Sequence, residues 1–327
     1  MRNDSPFHLI REMFETPEVM RKFSAQNAQD LRDQIANTRR LFITGEGSSR
    51  IFPAKNLMDH ALKDCTPLQI FTHGARQAAD YDLSAFTLLS ASNSGKTREV
   101  IELYRTAEAK LKIAVTAATN SPLEETADQT IVLNCGAEKA VAASKSVVEQ
   151  ALVYQSLLSD QSWHNLAKAA DAAEGILNTD VPTEILSCIK NARHIYFAGR
   201  EDGVAEELTL KTNEIIRKES SFLEGTYALH GIEEVMRQDD LIVLVDPFIA
   251  EIDAYNRVLR QGADVQVIAI SDQDTLFPTF KIPTVDGFNN YLQLIAGWNI
   301  LASAGLKMGI DIDKPARARK VGNSIEA

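Results

Sequence analysis

Short apolar runs alternate with segments of helical periodicity along most of this chain, and this alternation constrains the fold more than any other feature. The runs LFIT (41–44), AFTLLSAS (85–92) and KIAVTA (112–117) have the length and composition of buried strands. The intervening segment REVIELYRTAEAK (98–110) has the apolar spacing of an amphipathic helix. Strands that alternate with helices form a parallel sheet covered on both faces. The sequence therefore predicts an α/β fold built on parallel sheets.

The alternation starts again in the second half of the chain. HIYFAGREDG (194–203) is similar to RLFITGEGSS (40–49), which places Gly199 at an offset of 154 residues from Gly45. Asp246 lies at the same offset from Ser92, and QVIAIS at the same offset from KIAVTA. We infer two copies of one α/β unit.

The first 38 residues have helical character without a strand-like run. The pairs Ser5-Pro6 and Thr16-Pro17 predict the starts of two helical pieces, because proline fits the first turn of a helix. We therefore expect a helical arm before the first sheet.

Composition narrows the class of partner. With 34 Lys and Arg against 45 Asp and Glu, the net charge is −11, which argues against a nucleic-acid surface. No apolar run approaches the ~20 residues of a membrane span, and the N-terminus is too polar for a signal peptide. The three cysteines are far apart and odd in number, so we expect a cytoplasmic protein without disulfides. The histidines lack the spacing of metal ligands, and we expect neither a metal nor a cofactor.

Two loops of the first copy carry the groups that bind anions. Residues 45–49 (GEGSS) and 92–97 (SNSGKT) each follow a strand and precede a helix. Hydroxyls and the free N–H groups of a helix start hold phosphate oxygens, although either loop alone would also suit a tight turn or a helix cap. Neither loop has the Walker spacing or a full dinucleotide fingerprint. The second copy has Asp246-Pro247 at the equivalent turn, so we expect a phosphate to bind in the first copy.

These loops resemble the phosphosugar-binding loops of the sugar isomerase (SIS) domain family. Over roughly residues 39–327 the chain resembles the isomerase half of glucosamine-6-phosphate synthase and the stand-alone amino-sugar phosphate isomerases and deaminases. The resemblance implies two tandem SIS domains, each a flavodoxin-like αβα sandwich. It places the phosphate contacts at Ser48, Ser49, Ser92, Asn93, Ser94 and Thr97, with Asn93 where the family has Gln. The segment 136–150 implies backbone contacts to the sugar from Val141 and Ala142.

The resemblance assigns the reaction to the second half. Residues 207–231 match the family's catalytic stretch, which makes Glu214 the base that moves a proton between C1 and C2, with Lys211 beside the substrate. His230 matches the ring-opening histidine, which in the family reaches the other subunit and so implies a homodimer; Ile232 replaces the usual proline after His230-Gly231. Lys320, in the closing tail, matches a lysine that contacts the open-chain sugar.

The chemistry is reasonable on its own terms. An aldose–ketose interconversion needs one base that moves a proton between adjacent carbons, and a carboxylate can serve when burial raises its pKa. A histidine suits ring opening near neutral pH, and a lysine offsets the charge of an enediolate.

We therefore expect a helical arm (1–38), a first SIS domain (39–175), a second SIS domain (176–310) and an active-site tail (311–327). Only about 38 residues precede the first strand, so we expect no counterpart of the synthase's glutaminase domain. The expected reaction is glucosamine-6-phosphate to fructose-6-phosphate plus ammonia. The alternatives are a deglycase of fructosamine-6-phosphate adducts, a simple aldose–ketose phosphosugar isomerase, and a non-catalytic regulator that binds a sugar phosphate.

Overall fold

Ten strands form two sheets in the computed structural model of the chain, which describes residues 5–25, 29–158, 163–320 and 322–325. The chain divides into two compact units, each with one sheet. The described residues of 18–139, 143–164 and 319–325 make up the first-sheet unit, and those of 5–17, 140–142 and 165–318 make up the second-sheet unit. Within the described residues, no helix combines the length and apolar character needed to cross a membrane.

The first sheet is parallel throughout and has the strand order β2-β1-β3-β4-β5. Its strands are β1 (Arg40–Thr44), β2 (Gln69–Thr72), β3 (Thr87–Ala91), β4 (Leu111–Thr116) and β5 (Gln129–Val132). Along β1, Leu41 and Ile43 pack into the core on one face, and Phe42 packs into the core on the other. The central strands are therefore buried on both faces, as the continuous apolar runs predicted.

Helix α1 (His8–Lys22) opens the chain. The helices that follow in the first-sheet unit are α2 (Gln29–Thr38), α3 (Ile51–Lys63), α4 (Ala75–Ala78), α5 (Arg98–Thr106), α6 (Pro122–Thr126) and α7 (Lys145–Ser156). Helix α5 buries Val100, Ile101 and Tyr104, which is the apolar stripe that its sequence predicted. All twelve residues of α7 are buried.

One predicted helix start is wrong. Helix α1 begins at His8 but continues through Pro17, where we expected a second helical piece. Leu9 and Met13 before the proline, and Met20 after it, are buried. Apolar burial on both sides of Pro17 outweighs the one backbone hydrogen bond that a proline removes from a helix.

The second sheet is also parallel, with the order β10-β9-β8-β6-β7. Its strands are β6 (His194–Gly199), β7 (Glu219–Glu224), β8 (Leu241–Val245), β9 (Gln266–Ser271) and β10 (Thr279–Lys281). The helices of this unit are α8 (Leu166–Asn178), α9 (Thr183–Asn191), α10 (Val204–Ile215), α11 (Ile252–Tyr255) and α12 (Asn289–Lys307). Most of α12 is buried, including Trp298.

The two sheets share one topology. Counted from its own first strand, each has the spatial order second, first, third, fourth, fifth. Leu41 pairs with Thr87 in the first sheet and Ile195 with Leu241 in the second, so both strands of each pair keep the predicted offset of 154. The α/β fold class is confirmed, whereas the domain boundaries predicted from the sequence stay a prediction.

The fourth strand departs from that offset by one residue. Leu88 pairs with Lys112, whereas Ile242 pairs with Val267, one position later than the equivalent of Lys112. The offset predicted for KIAVTA and QVIAIS is therefore wrong by one residue, because the connection from β8 to β9 is one residue longer than that from β3 to β4.

Candidate functional site

The two polar loops of the first copy lie at the same edge of the first sheet. The GEGSS loop follows β1 and the SNSGKT loop follows β3, and these two strands are hydrogen-bonded neighbours. From β1 the chain continues to β2 on one side of this pair, and from β3 it continues to β4 on the other side. The two loops therefore flank the point where the strand order reverses. In open parallel sheets, ligands bind at this point, outside the carboxyl ends of the strands.

The SNSGKT loop brings two predicted phosphate ligands together. The hydroxyl oxygens of Ser92 and Thr97 lie 2.8 Å apart, and Thr97 occupies the N-cap position of α5 without capping it by its side chain. Gly95 donates its N–H to the Ser92 carbonyl at 2.9 Å, which closes the turn. The loop thus aims hydroxyls at the start of a nine-residue helix, where backbone N–H groups and the helix dipole favour an anion.

Gly95 is required by both conformation and space. Its φ is +63°, and a Cβ at this position would lie 2.2 Å from the Ser121 hydroxyl oxygen. Sequence analysis did not single out this glycine, although a glycine between the two hydroxyl residues is the signal that could have done so.

Asn93 and Ser94 occupy the tip of the same loop. The Asn93 side-chain oxygen is buried and has no hydrogen-bond partner among the described residues. Rotation of the amide by 180° would place its two N–H donors there instead, which is the polarity that a phosphate oxygen needs. The Ser94 hydroxyl accepts the Lys96 N–H at 3.2 Å and so is engaged within the loop.

The GEGSS loop holds Ser48 and Ser49 in a single 3₁₀ turn, Gly47–Ser49, just before α3. Both serines are half-buried. Gly45 has a φ of +152°, and a Cβ there would lie 3.1 Å from the carbonyl oxygens of Ala91 and Ser49. The missing side chain therefore lets this loop pack against the end of β3, beside the SNSGKT loop.

The C-terminal tail is fixed to this edge. Ser324 forms an antiparallel bridge with Thr97, and the Arg98 N–H donates to the Asn323 carbonyl at 3.2 Å. The Ile325 N–H donates to the Lys96 carbonyl at 3.1 Å. The tail thus pairs with the segment that joins the SNSGKT loop to α5.

Lys320 forms an ion pair that sequence analysis missed. Its ammonium lies 3.1 Å from a carboxylate oxygen of Glu138, whose side chain is fully buried. Burial by itself would raise the pKa of the Glu138 carboxyl. The Lys320 charge and hydrogen bonds from Ser146 and Ser144 outweigh burial and hold that pKa below its ordinary value.

Val141 and Ala142 belong to the second-sheet unit. Ala142 is buried and Val141 is half-buried. The neighbouring Ala140 N–H donates to the Glu12 carboxylate at 3.3 Å, which ties this segment to α1. The sugar contacts predicted for Val141 and Ala142 stay a prediction.

Lys211 and Glu214 meet on α10. The Lys211 ammonium lies 2.9 Å from a Glu214 carboxylate oxygen and 3.3 Å from one of Glu207. The side chains of Lys211 and Glu207 are 1% and 0% exposed, whereas that of Glu214 is 20% exposed. Glu214 is therefore the member of this cluster that solvent or a substrate can reach. Sequence analysis missed Glu207, four residues before Lys211 on the same helix face.

The charge of Lys211 is fixed by its neighbours. Burial by itself would lower the pKa of its ammonium, but Glu214 and Glu207 outweigh burial and raise that pKa above its ordinary value. Lys211 is consequently a cation at neutral pH and can stabilise negative charge that develops on a nearby oxygen.

His230 lies in the same unit, just after the 3₁₀ turn Tyr227–Leu229, and it is exposed. The following Gly231 has a φ of +96° and donates its N–H to the Glu233 carboxylate at 2.7 Å. A left-handed glycine therefore turns the chain directly after His230. In the part of the chain that the structure describes, no cluster of three or more His, Cys, Asp or Glu side chains has the geometry of a metal site.

Sequence comparison finds distant relatives over almost the whole chain. No family model matches it. Glutamine–fructose-6-phosphate aminotransferase (isomerizing) of Streptococcus pyogenes serotype M1 is 23% identical over 355 residues, which cover 96% of this chain. The enzyme of the same name from Lactiplantibacillus plantarum is 24% identical over 352 residues, again with 96% coverage. The chain spans 58% of the length of each of these relatives.

Solved structures with this fold cover the chain equally well. The C-terminal domain of glucosamine-fructose-6-phosphate aminotransferase from Francisella tularensis has a TM-score of 0.78 at 19% identity, over 96% of this chain and 100% of that one. Tagatose-6-phosphate ketose/aldose isomerase from Escherichia coli has a TM-score of 0.78 at 18% identity, over 97% and 98%. Glucosamine-6-phosphate deaminase from Thermotoga maritima has a TM-score of 0.73 at 17% identity, over 96% and 98%. The chain therefore has the two-sheet α/β fold of these proteins, as the resemblance of its loops implied.

Proposed function

We propose that this chain is an amino-sugar phosphate isomerase and deaminase, which converts glucosamine-6-phosphate and water into fructose-6-phosphate and ammonia. The observation that carries the proposal is the buried Lys211 cation beside the accessible Glu214 carboxylate, in a chain with this fold. We place the reaction in a cytoplasmic homodimer that binds small phosphosugars and not nucleic acid.

The phosphate would bind at the carboxyl edge of the first sheet. Ser92 and Thr97 would donate their hydroxyls, and the first turn of α5 would contribute backbone N–H groups other than that of Arg98, which is donated to the Asn323 carbonyl. Ser48, Ser49 and Asn93 lie on the loops that flank this position. Binding at the end of the sugar remote from C1 and C2 orients the reacting carbons, and this energy lowers the barrier of the chemical step.

The proton transfer would be carried out by Glu214. After His230 opens the ring, Glu214 takes the C2 proton and returns it to C1, while a proton passes from the C2 amino group to the C1 oxygen, which converts the aldose into a ketose imine. Lys211 stabilises the negative charge that develops on the C1 oxygen between these two steps. Water then adds to the imine carbon, and ammonia leaves as the C–N bond breaks.

A simple aldose–ketose phosphosugar isomerase is the second candidate. The observation that favours it is the TM-score of 0.78 to a tagatose-6-phosphate ketose/aldose isomerase. A base and a neighbouring cation serve both reactions, since each moves one proton between C1 and C2.

A substrate panel tests the proposal. The purified protein is incubated with glucosamine-6-phosphate, with ketose and aldose 6-phosphates, and with a fructosamine-6-phosphate amino-acid adduct, while ammonia, free amine and sugar products are measured. Ammonia and fructose-6-phosphate from the first substrate are the expected result. Turnover restricted to ketoses and aldoses favours the simple isomerase, turnover of the adduct favours a deglycase, and binding without turnover favours a regulator.

Variants assign the base. Glu214→Gln is expected to lower kcat at least about a hundredfold while phosphosugar binding survives, because general base catalysis contributes roughly that much. Glu184→Gln is the matched control, since Glu184 is exposed in the first turn of α9. Equal kcat values for the two variants would remove Glu214 from the mechanism.

A further inference from the structure

Glu138 sits in a cradle built for a carboxylate. One of its oxygens accepts the N–H groups of Ser144 and Ser146 at 2.8 and 3.2 Å, and the other accepts the Ser146 hydroxyl at 2.6 Å. Ser144 is the N-cap residue of α7, a twelve-residue helix. A negative charge at a helix N-terminus is favourable, and a buried carboxylate must be hydrogen-bonded or paired to remain charged.

The other charged partner of this carboxylate is Lys320. Its ammonium lies 3.1 Å from the oxygen that also accepts the Ser146 hydroxyl, and the Lys320 side chain is 28% exposed. The two residues are 182 positions apart in the chain. The interaction therefore joins the tail to the loop before α7, rather than adding to the stability of one element.

A second anchor fixes the tail only four residues later. Ser324 is bridged to Thr97, and Asn323 contacts Arg98 and Glu99. Four residues of extended chain span at most about 14 Å. The Lys320 backbone must therefore lie within about 14 Å of Ser324, the residue that is bridged to Thr97 in the predicted phosphate loop.

We propose that Glu138 is a positioning residue: it holds the Lys320 ammonium so that the tail stays paired with the SNSGKT loop and presents Lys320 to the sugar. The role in catalysis rests on the proposed function, whereas the hold on the tail does not. Glu138 itself touches no reacting atom in this proposal.

Amide hydrogen exchange tests the hold on the tail without any substrate. The reporters are the amides of Arg98 and Ile325, which bond across the tail pairing. Glu138→Gln and Lys320→Met should each speed their exchange at least about tenfold, which is the lower end of what a hydrogen bond between charged groups contributes. The double variant should exchange no faster than either single variant, since both remove the same interaction.

The exposed pair Lys63–Asp59 supplies the control. Asp59→Asn should leave both reporter amides unchanged. Reporter exchange that is unchanged in Lys320→Met, or that rises additively in the double variant, would overturn the hold on the tail. Lys320→Met decides this even where Glu138→Gln fails to fold, because Lys320 is partly exposed.

Kinetics test the second half of the proposal. Glu138→Gln and Lys320→Met should lower kcat on glucosamine-6-phosphate by similar factors, leave KM within about threefold, and show no further loss when combined. If the variants speed amide exchange as expected but leave kcat unchanged, the catalytic role of Glu138 is overturned and its hold on the tail stands. Absence of turnover in the unaltered protein would instead reject the proposed function, and the exchange result would stand.

Discussion

Lys211→Met offers the sharpest test of the charge cluster on α10. The substitution keeps most of the length of the side chain and removes the cation that lies beside the fully buried Glu207 and the partly exposed Glu214. Breaking a buried pair by removing one partner costs about 3–5 kcal/mol of unfolding free energy. Lys63→Met is the control, because Lys63 is 61% exposed and paired with Asp59 one helical turn away. It should lower the unfolding free energy by only about 0.3–0.5 kcal/mol.

Urea unfolding measures the difference. The chain has two tryptophans, and Trp298 lies buried in α12 of the same unit as Lys211, so a Trp163→Phe background makes fluorescence report that unit. Adding Glu207→Gln to Lys211→Met should restore part of the loss, because the buried carboxylate is then neutral. A cost for Lys211→Met within about 1 kcal/mol of the Lys63→Met control would refute this account of the cluster, since removing one member of a buried ion pair costs more than that.

Three further outcomes follow from the structure. Gly95→Ala should lower the unfolding free energy by about 2–4 kcal/mol in urea titrations, because its Cβ would meet the Ser121 hydroxyl and φ is positive, whereas Gly309→Ala, at a φ of +71° in open space, should cost only about 1 kcal/mol. The pKa of the Glu138 carboxyl is lowered in the folded state, so the advantage of the unaltered protein over Glu138→Gln should be complete well above pH 4.5 and disappear as the pH falls through that lowered value, as urea titrations from pH 7 to pH 3 would show. His230→Asn should reduce kcat on the cyclic glucosamine-6-phosphate roughly a hundredfold without weakening sugar-phosphate binding in calorimetry.

The sheets were predictable because their central strands are buried on both faces. A strand that packs against a core on each face has a nearly continuous apolar sequence. Strand β3 is of this kind, since all its residues from Thr87 to Ala91 are buried. The offset of 154 residues between the two copies then predicted the second sheet from the first. The one-residue error at β9 arose in a connecting segment, where length varies without disturbing the core on either side.

The partners within the candidate site were less predictable. Glu207 and Glu138 are single carboxylates, and nothing in their local sequence distinguishes them from solvated surface groups. The environment of Glu138 is set by Lys320, 182 residues away in the chain, and by the start of α7. Interactions of this kind depend on tertiary structure, which periodicity does not encode. The helix start predicted at Thr16-Pro17 is wrong for a related reason, since the packing of α1 overrides a local sequence signal.

The carboxyl edge of the second sheet explains why topology alone does not make an anion site. Asp246 follows β8 at a φ of +47°, and its carboxylate is paired with the Arg200 guanidinium, which also lies 4.3 Å from the centre of the Phe248 ring. A lone carboxylate at this turn would repel a phosphate, but Arg200 neutralises the charge of Asp246. The stronger reason is that the guanidinium, a group well suited to bind a phosphate, is already committed to Asp246 and Phe248. Releasing the guanidinium would leave a half-buried carboxylate unpaired, whereas the Ser92 hydroxyl can turn from Thr97 to a ligand at little cost. Loop chemistry, not strand order, thus favours the first sheet as the place where this chain would hold a phosphate.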